Sequence, residues 1–242
     1  MERRSNILEQ RSNYVKMAAM ARKSGRADRR TDALSRERIV QAAIELLDAE
    51  GESGLTFRAL ATRLATGAGA IYWHVANKSE LLAATTDDVV DGAMNIVAED
   101  AAPADAIRAV ALALFDAIDV HPWVGAQLAR EPWQSAMLQI FERIGVQLQA
   151  LRVPKRALFF AASALVNYVL GVAGQNAANA RNPTIHMTRE DFLATMAAKW
   201  SALDPTTHPF LRQMAKPLRD HDDREQFLAG IDLILAGVAT LR

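Results

Sequence analysis

The chain of 242 residues has no cysteine. That excludes a disulfide framework, thiolate metal sites and thiol redox chemistry, and it suits a reducing compartment. Glycine and proline are sparse, at 12 and 8, and all eight prolines lie at Pro103 or beyond, so nothing of that kind punctuates the first hundred residues. No apolar run nears the roughly 20 residues that span a bilayer. The N-terminus lacks the continuous apolar segment of a signal peptide, so no membrane association is expected and the expected location is cytoplasmic. Strand-like alternation between hairpin turns is missing as well. Half the residues are hydrophobic and only 6% aromatic, a helix-leaning globular composition long enough for a small domain and a larger one.

Catalytic signatures are equally scarce. The five histidines, at 74, 121, 186, 208 and 221, show no i, i+4 pairing. There is no HExxH, nucleophile elbow or phosphate loop. Asp222, Asp223 and Glu225 read as an acidic turn favoured by the N-terminal dipole of the last helix, not as a carboxylate dyad. The expectation is a protein that is not an enzyme, with no metal and no cofactor.

Net charge is zero, but the zero hides a gradient. Residues 1–38 hold 11 Lys and Arg against 5 Asp and Glu, whereas residues 81–242 hold 14 against 18. A basic end on an acidic body is the asymmetry of a chain that approaches a polyanion from one side. Residues 1–33 lack an apolar period and read as a flexible basic arm, in which Arg22, Lys23, Arg26, Arg29 and Arg30 could reach phosphates or a minor groove. Met17 and Met20 leave later starts open.

From residue 34 the periodicity sharpens. Ser35 is a candidate N-cap, Ile39, Ala42, Ala43, Leu46 and Leu47 form a stripe, and Gly51 stops it. Thr56 then caps a short helix carrying Phe57, Leu60, Ala61 and Leu64. After Ala65-Thr66-Gly67 a second short helix, expected over 68–75, packs through Ile71 and Val75. Two short helices locked across a three-to-four-residue turn have the build of a helix-turn-helix, within a domain spanning 34–80. Asn77 caps a helix expected to run to Glu99, which links head to body. In the body, residues 81–242, the prolines mark off helices at about 104–119, 122–130, 133–151, 155–180, 189–201, 208–218 and 222–241. The fold class is all-α: a three-helix DNA-binding head followed by a larger helical domain. Helices 155–180 and 222–241 are strongly amphipathic, suited either to bury each other within one chain or to pair with their copies across a two-fold.

Residues 35–82, SRERIVQAAIELLDAEGESGLTFRALATRLATGAGAIYWHVANKSELL, closely resemble the DNA-binding head of the TetR family of bacterial transcriptional regulators, and GAIYWHVANKSELL is especially similar to the tetracycline-repressor branch. FAASALVNYVLGVAGQ and EQFLAGIDLILAGV resemble that branch's dimerising helices. The resemblance implies a homodimer whose heads read a palindromic double-stranded operator and whose bodies bind a small, hydrophobic effector that releases the DNA by swinging the linking helix. It implies that Arg58 contacts a base, most simply a guanine through a bidentate pair. Thr56, Tyr72, His74 and Lys78 would meet the DNA backbone, while Gly67, Ala68, Gly69 and Ala70 face the groove. Trp73 is read chiefly as core. The turn departs from the family pattern, with Ala65 where glycine is common and Gly67 where a hydroxyl cap is usual. Ala65 at a positive φ implies local strain. A second reading therefore stands: a helical small-molecule-binding or protein-interaction module without specific DNA binding.

For the effector, Met94 falls where the namesake repressor has its tetracycline-gripping histidine, and no magnesium-binding histidine is evident near Gln127-Leu128. A magnesium–tetracycline site is not expected. The candidate lining is Met94, Phe115, Trp123, Trp133, Met137, Phe141, Asn167, Tyr168 and Gln175. His121, before Pro122, is expected to cap a helix or lie at the surface.

Overall fold

The computed structural model describes residues 34–95, 101–180 and 187–241. The expected basic arm, residues 1–33, lies outside the described residues. Every regular element among the described residues is a helix. They run in order α1 (Arg36–Gly54), α2 (Phe57–Arg63), α3 (Ala68–Tyr72), α4 (Lys78–Met94), α5 (Pro103–Val120), α6 (Pro122–Arg130), α7 (Ser135–Ala150), α8 (Lys155–Ala180), α9 (Arg189–Ser201), α10 (Pro209–Asp220) and α11 (Asp223–Ala239).

The helices begin where local chemistry starts them. Ser35, Thr56 and Asn77 each accept a backbone N–H of the first turn, from Arg38, Ala59 and Glu80, which satisfies donors that have no intrahelical partner. Prolines open α5, α6 and α10 at their first positions, where their missing N–H costs nothing. The backbone of α1 leaves helical geometry at Gly51, φ 69°, the expected stop, and one further turn carries it to Gly54. Helix α7 has no side-chain bond from its own N-cap residue, Gln134. Asp87 of α4 supplies one from a distance, accepting the N–H of Ala136 at 2.8 Å.

Helices α1, α2 and α3 enclose a small core of Ile39, Ala43, Leu47, Leu55, Leu60, Ile71 and Val75, closed by Leu81 and Leu82 from α4. A second, larger core fills the body. Helix α8 runs through it and packs on α5, α6, α7 and α11. Its inward residues Leu165, Val166, Val169 and Ala173 meet Phe227, Ile231 and Leu235 of α11. Helices α9 and α10 form a hairpin packed mainly on itself.

Several expectations need correction. Helix α4 ends at Met94, with Asn95 as its cap, rather than running to Glu99; residues 96–99 lie outside the described residues. Helix α7 starts at Ser135, two residues later than expected. Pro217 sits inside α10, as in the expected helix 208–218, but α10 continues two residues further, to Asp220. Finally, α8 over Lys155–Asn179 is long and apolar enough to cross a bilayer by length and composition, contrary to the reading that no run approaches that length. Its inner stripe builds the body core, and the remaining apolarity lies on its outer face, so apolarity on two sides has a packing cause.

Candidate nucleic-acid interface and effector core

The helix-turn-helix is built from short bonds. The Thr56 hydroxyl accepts the Ala59 N–H at 3.1 Å. In the turn, the Ala65 N–H donates to the Thr62 carbonyl at 3.2 Å and the Thr66 N–H to the Ala61 carbonyl at 2.9 Å, closing the end of α2. That closure puts Ala65 at φ 50°, the left-handed conformation anticipated from the turn. Gly67, exposed, opens α3 with no side-chain bond of its own, so the first N–H groups of the helix have no acceptor from a capping side chain.

Helix α3 is only five residues, and its turns divide their labour. Ile71 and Val75 are fully buried. Tyr72 is about half exposed and stacks flat on Phe57, ring centroids 4.3 Å apart at 7°. This stacking leaves a rigid, exposed phenol. Gly69 is exposed, and Ala68, Ala70 and His74 are half-buried. Trp73 is 90% exposed, correcting its reading as core. The helix ends at Tyr72, and with Ile71 and Val75 filling the core Trp73 is left outside as the cap.

Arg58 is exposed beside Thr56, Thr62 and Arg63, along a surface depression of about 500 Å³. Arg63 is held by Glu45 at 2.8 Å, whereas among the described residues no carboxylate ion-pairs with Arg58. Lys78 is less free than expected. Its Nζ donates to the Glu52 carbonyl at 2.6 Å, tying the start of α4 to the end of α1.

In the body the candidate effector residues separate. Met94, Phe115 and Met137 are buried in one core with Phe141 and Tyr168 packed against it. Phe227 lies between Phe115 and Tyr168, with centroids 4.6 and 5.6 Å away. The Tyr168 hydroxyl donates to the Phe227 carbonyl at 3.2 Å, and burial pushes its pKa up. Three of the named residues do not join this cluster. Trp133 is 86% exposed in the α6–α7 connection. Asn167 and Gln175 are exposed on the outer face of α8, because helical spacing puts them opposite Val166, Val169 and Ala173. Trp123 packs against the body core as Phe141 and Tyr168 do, but against the head core as well. Its indole N–H donates to Asp48 at 2.8 Å.

Sequence reasoning missed three residues of consequence: Trp73, Phe227 as an aromatic of the body core, and Asp48. Trp73 follows a helix of five residues, too short for its period to tell an outward side chain from an inward one. Asp48, on the polar face of α1, carried no signal until its partners, 73 and 75 positions away in the chain, were placed beside it.

An exposed helix-turn-helix with an outward arginine, set on a helical body with its own core, defines a DNA-binding regulator. The sequence comparisons make that specific. Residues 39–85 match the bacterial regulatory proteins of the tetR family, and residues 100–242 match the tetracyclin repressor-like C-terminal domain. The chain belongs to the TetR family of transcriptional regulators. It is 54% identical to a TetR regulator of known structure from Streptomyces coelicolor, SCO7222, covering 86% of this chain and 99% of that one at a TM-score of 0.80. It is 27% identical over 214 residues to the class D tetracycline repressor of Escherichia coli, covering 84% of this chain and 88% of that protein. The BioQ structure with its double-stranded DNA operator aligns at 25% identity and a TM-score of 0.59, over 86% of this chain and 99% of that one.

Proposed function

We propose that the protein is a homodimeric repressor that occupies a palindromic operator in the cytoplasm and is released by a hydrophobic effector bound in the body. The observation that carries the DNA contacts is the grouping of Thr56, Arg58, Tyr72 and Trp73, all exposed, around the small tip of α3. Arg58 reads a base edge, the Gly67 end of α3 receives a phosphate, and Tyr72, Trp73 and His74 line the backbone. Ala68, Gly69 and Ala70 offer only close approach and methyl contact, so direct readout rests on Arg58. Lys78 contributes its charge to the backbone while its ammonium remains on the Glu52 carbonyl.

Dimerisation is supported by what α8 and α11 leave uncovered. Phe160, Ala164, Asn167, Gly171 and Gln175 recur along the outer face of α8, beside Leu233, Ala236, Gly237 and Thr240 on α11. Phe160 is 72% and Leu233 75% exposed, while the small residues between them let two backbones approach closely. Two such faces meeting across a two-fold form a four-helix interface, in which Asn167 and Gln175 supply polar contacts. For the effector, the stack of Phe115, Phe227 and Tyr168 favours a planar aromatic molecule that inserts among these rings. ActR, 26% identical to this chain, has been solved in complex with actinorhodin, which supports a small-molecule ligand for this chain.

The test is duplex selection followed by titration at rising salt. The native protein selects a palindrome and loses affinity steeply as salt increases. Arg58→Ala loses about 1–3 kcal/mol on the selected site and flattens preference at one base pair, whereas Lys78→Ala weakens all duplexes alike. Unchanged sequence preference in Arg58→Ala would remove it as the reading residue.

A further inference from the structure

Helix α4 is the covalent link between head and body, and a single helix leaves the head free to pivot about its axis. A second attachment lies away from that axis. Trp123, at the start of α6, packs against both hydrophobic cores and donates its indole N–H to Asp48 of α1 at 2.8 Å. His121, the residue between α5 and α6, places Nδ1 at 2.8 and 3.0 Å from the two oxygens of the same carboxylate. At the other end of α6, Arg130 pairs with Glu52, which lies just past the break of α1 at Gly51. The Arg130 bond holds the Glu52 carboxyl below its ordinary pKa. Thus both ends of one nine-residue helix grip the same stretch of α1.

We infer that α6 is a clamp on the head, with Trp123 and Asp48 as its positioning residues, and that this clamp rather than α4 alone sets the head's angle to the body. Val124 and Leu128 of α6 are fully buried in the body core. Any shift of that core therefore moves the helix that holds α1. The inference rests on the reading above, in which the body binds an effector and the head answers, and it assigns the coupling between them to a defined pair of contacts. Coupling needs an element whose arrangement both sites bias. Helix α6 touches both cores.

The absence of cysteine permits a direct test. Thr62 on α2 and Gln149 near the end of α7 are exposed, so Thr62→Cys with Gln149→Cys places one spin label on the head and one on the body. Pulsed dipolar spectroscopy of the full chain, diluted with excess unlabelled chain, reads the intrachain distance. The native background gives one narrow distribution. Asp48→Ala, and Trp123→Phe, which keeps a ring between the cores but removes the N–H donor, each broaden it at least twofold while helix content and melting temperature are retained. Distributions in both folded variants indistinguishable from native overturn the clamp and leave α4 as the determinant. The readout uses neither operator nor effector, so a failure of duplex selection would count against the proposed function and not against the clamp.

Discussion

Ala65 shows how one residue can carry a cost for the sake of a turn. Its φ of 50° is a conformation that a Cβ disfavours by about 1 kcal/mol and that glycine adopts freely. Ala65→Gly is therefore expected to raise stability by up to about 1 kcal/mol in denaturant unfolding, less a small entropic loss from the unfolded chain. A second residue with an internal conflict is Asp87, which caps α7 through Ala136. Burial raises its pKa, against the lowering effect of that bond, and the neighbouring Asp91 adds to the rise. A carboxyl whose pKa is higher folded than unfolded contributes stability below the unfolded value and loses it as pH climbs through the folded one. Asp87→Asn keeps an acceptor for Ala136 and removes the desolvated charge. Its melting temperature should exceed the native one near about pH 7 and converge with it at about pH 3, where the native carboxyl is protonated.

At the scale of elements, the pairing of α8 with α11 depends on Gly230. A methyl built there would overlap the Tyr168 hydroxyl and ring, and the ring is itself fixed between Phe227 and its bond to the Phe227 carbonyl. Gly230→Ala is expected to cost about 1–3 kcal/mol, the range of overpacked cores. Thermal unfolding of the single variants and of Gly230→Ala with Tyr168→Ala would show strong coupling, since the smaller side chain removes the overlap. The same two helices explain why sequence periodicity left their partners undecided. Each has an inner stripe buried within the chain and an outer stripe of mostly apolar or small residues, so a single sequence pattern supports both uses. Helix α3 shows the opposite limit: with five residues, its period is too short to distinguish an outward Trp73 from an inward one.

For the whole molecule, the uncovered face of α8 and α11 is the feature on which the proposed homodimer depends. Two recognition helices must lie about 34–36 Å apart to enter successive major grooves, and the proposed homodimer assigns the two-fold that pairs them to this face. Leu233→Asp puts a charge at the centre of the face without disturbing the core, since Leu233 is exposed in the single chain. Sedimentation is expected to show monomers at concentrations where the native protein dimerises. Affinity for the palindrome should fall by at least tenfold as the heads bind separately, while melting retains a folded chain. A native-like dimer in this variant would place the interface elsewhere.

Much of this molecule was written locally. The caps at Ser35, Thr56 and Asn77, the stop at Gly51, the positive φ at Ala65 and the starts of α6, α8 and α9 follow from residues within a turn of where they act, because capping and backbone preference are short-range effects. The sequence by itself therefore determined an all-α chain with a helix-turn-helix near its N-terminal end, and its resemblance to the TetR family supplied the contact candidates Thr56, Arg58, Tyr72 and His74. Only the tertiary structure decided what depends on distant packing. It placed Trp73 in solvent and Lys78 on the Glu52 carbonyl, moved Asn167 and Gln175 from an expected pocket to an outer face, and set Phe227 between Phe115 and Tyr168. It also joined Trp123 to Asp48 across 75 positions of chain. Side-chain surroundings of that kind are set by which helices meet and at what angle, and periodicity records only which face of each helix is apolar.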